Sequence, residues 1–103
     1  LAVLLIPTRS TVTGRLDLPH HPRMLRDLAQ HRVRVREADL DFDLPTRRVL
    51  AICADLGVPC IDPTARFRRL GLEAFLPEDE HTSIEGHRAL ARELLEHRDA
   101  WLR

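Results

Sequence analysis

Pro45-Thr-Arg-Arg-Val-Leu-Ala-Ile-Cys-Ala-Asp-Leu56, Gly57, Val58-Pro-Cys-Ile-Asp62: in these residues the hydrophobic period changes once, and the change points to the fold class. Val49, Leu50, Ile52, Cys53 and Leu56 recur at helical spacing, so 45–56 is expected to be an amphipathic helix. Gly57 is a natural stop, because glycine takes the left-handed closing conformation without a steric penalty. Val58 to Asp62 then reads as a short buried strand. A helix, a glycine and a short apolar strand in succession are the rhythm of an α/β fold.

The same rhythm extends in both directions. Leu1-Ala-Val-Leu-Leu-Ile6 is a continuous apolar run ended by Pro7, the pattern of a strand buried on both faces of a parallel sheet. Thr8 to Asp17 is polar and reads as a loop leaving that strand. Pro22 to Gln30 reads as a helix with proline in its first turn and Met24, Leu25, Leu28 and Ala29 as its apolar face. Arg32 to Arg36 alternates Arg and Val and fits a short strand, followed by an acidic turn at Asp39 to Asp43. Pro63 to Leu70 is expected to be a short helix or turn closed by Gly71, and Phe75, Leu76 and Pro77 lead into an acidic loop. Thr82-Ser-Ile-Glu85 matches a capping box, so the last helix is expected to start at Thr82 or Ser83. Ile84, His87, Ala91, Leu94, Leu95, Arg98, Trp101 and Leu102 would then face the sheet.

Two strands do not make a stable sheet by themselves. Residues 1–103 are therefore expected to form a single partial domain, the C-terminal portion of a larger α/β domain with its other strands before Leu1. The first residue is Leu rather than Met, so a processed chain or a piece of a longer polypeptide is expected. The termini leave localisation unknown.

The chain has 103 residues, 16 basic and 16 acidic, for a formal net charge of zero. This argues against nucleic acid as an electrostatic partner. Lys, Asn and Tyr are absent, the usage expected of a GC-rich bacterial genome, and the surface is expected to carry solvated Arg/Glu pairs. No apolar run approaches the roughly 20 residues that span a bilayer. Cys53 and Cys60 are too few for a disulfide framework and are expected to be buried free thiols.

Chemistry concentrates in Asp79-Glu-His81, followed by Gly86-His87 at the opening of the last helix. An aspartate two residues before a histidine can accept a hydrogen bond from one imidazole nitrogen and fix the tautomer. The other nitrogen is then free to take a proton from a hydroxyl. In open α/β sheets, sites gather where loops leave the carboxyl ends of strands, and this pair lies in the loop after the second strand.

These residues resemble the last sequence block of the SGNH (GDSL-type) hydrolases, an Asp-x-x-His or Asp-x-His element followed by Gly-His or Gly-Tyr. Leu4-Leu-Ile-Pro-Thr-Arg9 resembles the strand and loop after the central part of that fold, and Leu56-Gly-Val-Pro-Cys-Ile-Asp62 resembles the strand preceding the last block. The resemblance implies the C-terminal part of a three-layer α/β/α flavodoxin-like fold with a parallel sheet. It also implies His81 as general base and Asp79 as its orienting acid, with no cofactor and no metal. The one-residue spacing in Asp79-x-His81 is similar to envelope polysaccharide O-acetyl esterases and transferases, whose Trp after the His is Thr82 here. That likeness implies an ester or acylated carbohydrate substrate and a bacterial envelope or secreted location. The family's nucleophile sequence Gly-Asp-Ser and its oxyanion-hole Asn are absent from these residues. The missing N-terminal part of the same protein would supply them, and the chain alone is expected to be inactive.

Ser83 is expected to belong to the helix start and Ser10 to a polar loop, so neither is a nucleophile. His87 is expected to be packed and hydrogen-bonded, Asp62 to cap a helix, Arg9 to be solvated, and Trp101 to pack. His20-His21 sits in a loop beside proline and carries no signal. Two other functions are open at this point: a non-catalytic α/β interaction module, and a small metal-binding domain using Asp79, His81 and His87.

Overall fold

The computed structural model describes residues 1–16 and 22–102; Asp17, His20, His21 and the side chains of Pro22 and Met24 lie outside the described residues. The fold is mixed α/β, mostly helical, around one two-stranded parallel sheet. Strand β1 is Val3–Leu4 and β2 is Cys60–Ile61, in the register Val3 to Cys60 and Leu4 to Ile61. Val3 N donates to Pro59 O at 2.9 Å and Leu5 N to Ile61 O at 3.0 Å. Both apolar runs read as strands are strands here, each shortened to the two residues that face the other. Leu1 and Ile6 at the ends of the first run are exposed.

Between the strands lie α1 (Arg9–Thr13), α2 (Pro22–Gln30), a 3-10 turn at Glu37–Asp39 and α3 (Leu44–Asp55). After β2 come α4 (Thr64–Leu70), a 3-10 turn at Gly71–Ala74, α5 (Ile84–Glu96) and one further turn, α6 (Arg98–Trp101). The expected loop over 8–17 is thus partly a helix. Thr8 Oγ1 accepts the Thr11 amide at 3.2 Å and caps it, and Gly14 closes it at φ 65°. The expected strand at Arg32–Arg36 does not form, since alternation without a neighbouring strand leaves its backbone groups to water.

Helix α3 ends as expected at Gly57. Val58 N donates to Cys53 O at 2.9 Å and Gly57 N to Ala54 O at 3.1 Å, the bond pair of a Schellman turn. Its buried residue is Cys53; Val49 and Leu50 are half-buried, while Ile52 is 56% exposed. Cys53 and Cys60 are free thiols, the first buried and the second half-buried. Burial, helped by the neighbouring Cys53 thiol, pushes the Cys60 thiol up to about 11.

The core joins α1, α4, the Gly71–Ala74 turn and α5. Val12, Phe67, Ala74, Phe75, Ala89 and Leu90 form it, with Leu4 and Leu70 packed at its margin. Phe67 and Phe75 meet edge to face, their centroids 5.8 Å apart. Asp62 does serve the start of α4, its Oδ1 accepting from Thr64 N at 3.0 Å and from Thr64 Oγ1 at 2.5 Å. Arg66 on α4 reaches Glu93 at 2.7 Å and Glu96 at 2.5 Å on α5.

Helix α5 buries a different face from the one its aliphatic residues mark. Gly86, Ala89 and Leu90 are buried, whereas Ile84 is 72% exposed and His87 and Leu95 are also exposed. The cause is local. A Cβ on Gly86 would stand 2.2 Å from the Ala74 carbonyl oxygen, so only glycine lets the helix approach there. The expected capping box is replaced by a simpler cap, in which Ser83 Oγ accepts the Gly86 amide at 3.1 Å while Glu85 pairs with Arg88. At the far end Trp101 is partly exposed and its indole N–H donates to Leu94 O at 2.8 Å.

The radius of gyration is 15.5 Å. A compact domain of about 100 residues has about 13 Å. The small core and exposed aliphatic residues agree with that extended shape. Among the described residues no helix is long and apolar enough to cross a membrane.

Candidate active site

The Asp79–His81 loop is a short reversal between the Gly71–Ala74 turn and α5. Phe75 and Thr82 form an antiparallel bridge, Leu76 N donates to His81 O at 2.8 Å, and Ser83 N donates to Ala74 O at 2.9 Å. These bonds close the loop at its base. Ala74 O is the same oxygen that Gly86 approaches, so the packing of α5 and the loop closure share one atom.

Within the loop Asp79 folds back on His81. Asp79 Oδ1 accepts the His81 amide at 2.8 Å and lies 3.1 Å from His81 Nδ1. The first contact is an Asx turn, which aspartate forms readily two residues ahead of its partner amide. The second fits an imidazole carrying its proton on Nδ1. The amide of His81 holds the Asp79 carboxyl below its ordinary range; partial desolvation opposes it, and the His81 ring and the Arg9 charge reinforce it. The His81 side chain is 85% exposed. Its anchored nitrogen faces Asp79, and Nε2 is left for a hydroxyl brought from outside.

Arg9 is where sequence reasoning is corrected most. It is not solvated: it is 7% exposed, at the start of α1 just past the carboxyl end of β1. Its guanidinium donates to the carbonyls of Leu76 and Asp79, and its Cζ lies 5.7 Å from the Phe75 ring centroid, within cation–π range. The loop is thereby held at the carboxyl side of β1, where ligand sites of parallel sheets collect. The sequence gives one signal for this, a cation directly after the Thr8 cap at a strand end.

The other candidate residues have structural assignments. Ser83 Oγ donates to Glu73 O and accepts from Gly86 N, so both roles of the hydroxyl are committed. Ser10 lies in α1, half-buried. His87 is hydrogen-bonded as expected but exposed rather than packed: its Nδ1 lies 2.8 Å from Ser83 O, with Thr82 Oγ1 at 3.2 Å. Asp79, His81 and His87 do not converge; among the described residues no group of three or more His, Cys, Asp or Glu side chains could hold a metal ion. Beside Arg9, a cleft of about 410 Å³ is lined by Leu72, Glu73, Phe75, Leu76 and Pro77.

No family model, curated protein or solved structure matches this chain.

Proposed function

We propose that these residues are the base-carrying portion of an SGNH-type serine ester hydrolase or O-acyl transferase, and that the two-stranded sheet is one side of a three-layer α/β/α domain. The observation that carries the reading is the double use of Asp79 Oδ1, which holds both the amide and Nδ1 of His81 while the ring stays open to solvent. A histidine oriented this way is what a serine nucleophile needs.

In the proposed reaction a serine from an earlier part of the polypeptide attacks the acyl carbonyl as its proton passes to His81 Nε2. The tetrahedral intermediate collapses to an acyl-enzyme, and the alcohol leaves with the proton that His81 returns. Water or a sugar hydroxyl, deprotonated by the same nitrogen, then takes the acyl group and frees the serine. Asp79 stabilises the imidazolium in both halves without itself taking a proton. The envelope O-acetyl enzymes that the Asp79-x-His81 spacing resembles suggest an acylated carbohydrate as substrate and a bacterial envelope or secreted setting.

The reading is tested by sequencing the coding DNA ahead of the Leu1 codon and assaying the full product on an aryl acetate. A Gly-Asp-Ser in frame is expected, and His81→Ala should lower kcat/KM at least roughly 10⁴-fold, the cost of losing a triad member. An upstream sequence with no such serine, or a full enzyme indifferent to His81→Ala, overturns it. So does turnover by residues 1–103 alone.

A further inference from the structure

We propose that Arg9 is the positioning residue of the Asp79–His81 pair, its buried guanidinium bridging the Leu76 and Asp79 carbonyls to hold the loop in the one conformation that orients the imidazole. The inference rests on the reading of His81 as a base for its functional meaning, but not for its geometry.

The loop cannot be held by burial. From Leu76 to His81 every side chain is exposed or half-buried, and the core ends at Phe75. What fixes it must be hydrogen bonds. Those at its base pin only residues 74–76 and 81–83. Arg9, 70 positions before Asp79, clamps the Pro77–Glu80 tip from a distant part of the chain.

Burying a guanidinium costs several kcal/mol unless its donors are matched. Here two main-chain carbonyls and an aromatic ring offset part of that cost. A charge spent on carbonyls three residues apart sets the path of the backbone between them. Both bonds leave one terminal nitrogen, Nη2, whose N–H groups are fixed in the guanidinium plane, whereas a lysine ammonium is a point charge on a flexible stem. With the Asp79 carbonyl held, the peptide units on either side lose their freedom to rotate. Oδ1 then meets the His81 amide and Nδ1 together. Without the clamp, the loop base would persist and the tip would sample other paths.

The test reads the imidazole rather than turnover. The full natural polypeptide is labelled with ¹⁵N-histidine, and the tautomer ratio of His81 is measured in the wild type, Arg9→Met and Arg9→Lys, with His87 as the internal control. The wild type is expected to favour Nδ1–H at His81. Arg9→Met should reduce that preference roughly five- to ten-fold, the size of one net hydrogen bond. Arg9→Lys, whose flexible ammonium does not fix the directions of its donors, should fall between, and His87, bonded to the Ser83 carbonyl, should not change. If Arg9→Met does not fold, Arg9→Lys decides. A folded Arg9→Lys with the wild-type His81 ratio overturns the proposal, as does an unchanged ratio in Arg9→Met or a wild-type His81 with no Nδ1–H preference. Indifference of turnover to His81→Ala alongside an Arg9-dependent tautomer would defeat the catalytic reading alone, so the two failures are separable.

Discussion

Residues 22–43 and residues 62–90 are both built of helix and turn, yet they are held in different ways. The second stretch contains the fully buried Phe67 and Pro63, along with Ala74, Phe75, Ala89 and Leu90. The first has no buried residue among its described side chains. Its organisation comes from the ends: the helix closure at Arg32, an exposed Arg36–Asp39 ion pair at 2.7 Å, and Glu37 Oε1 accepting the Leu16 amide at 3.1 Å. Exposed pairs of this kind contribute about 0–1 kcal/mol. Helical period is present in both stretches. What separates them is aromatic volume combined with small residues at the contacts, which together exclude water over a continuous area. The catalytic candidate loop hangs from the well-packed stretch, so its base inherits a rigid support.

This difference is most directly broken by truncation. Phe67→Ala should lower unfolding free energy by about 3–5 kcal/mol, the usual range for an aromatic removed from a core. Leu25→Ala on α2 should change it by less than about 0.5 kcal/mol. Urea unfolding of the two variants measures both. A cost above about 1 kcal/mol for Leu25→Ala would mean that α2 has a packing partner and that the two stretches are not different in kind.

Gly86→Ala comes next, and it sharpens the link between core and loop. Alanine favours a helix interior over glycine by about 1 kcal/mol. Against that gain, its Cβ would stand 2.2 Å from Ala74 O and 3.1 Å from Thr82 Cβ. Backbone must move to relieve the first contact, and overpacking of this kind costs about 1–3 kcal/mol, occasionally more. A net loss of up to about 2 kcal/mol is expected by urea unfolding. Because Ala74 O also accepts the Ser83 amide, the amide resonances of His81 to Ser83 should shift as well. A stabilised variant with unmoved loop resonances would show that the close approach is not what places the loop.

Much of this arrangement could be read before any coordinates. The change from helical spacing to an apolar run at Gly57 marked α3 and β2. Pro22 and Gln30 bound α2 as expected, Gly71 closes α4, and Ser83 starts α5. The Asp79–His81 contact followed from a two-residue spacing that an aspartate side chain can bridge by itself. What escaped the sequence depends on long-range contacts or on residues with little hydropathy. Helix α1 is masked by three β-branched residues, Thr11, Val12 and Thr13, which are poor helix formers, although its Thr8 cap and Gly14 stop were present. The buried face of α5 is set by Gly86 and Ala89, which weigh little in a periodicity argument against Ile84 and Leu95. Arg9 is buried because the carbonyls of Leu76 and Asp79 receive it, and its place after the Thr8 cap at a strand end does not say which carbonyls those are.

The smallest expected effect concerns two helix ends of the same design. Helix α2 closes with Val33 N on Leu28 O at 2.9 Å and Arg32 N on Ala29 O at 3.2 Å, the bond pattern that closes α3 at Gly57. Both closures need a left-handed residue, at φ 53° for Arg32 and 64° for Gly57. For an L-residue with a side chain that conformation costs roughly 1 kcal/mol. Arg32→Gly should therefore recover up to about 1 kcal/mol, and Gly57→Ala should lose about as much. The two should be seen in different places. Gly57 closes a helix tied to β2, so its loss should register in global unfolding. The described side chains of α2 bury so little that it should open on its own, and the gain from Arg32→Gly should appear as roughly five-fold slower hydrogen exchange of α2 amides with the urea midpoint unchanged. If the midpoint rises with the exchange protection, α2 unfolds together with the core, and the contrast between the two stretches is one of burial without being one of cooperativity.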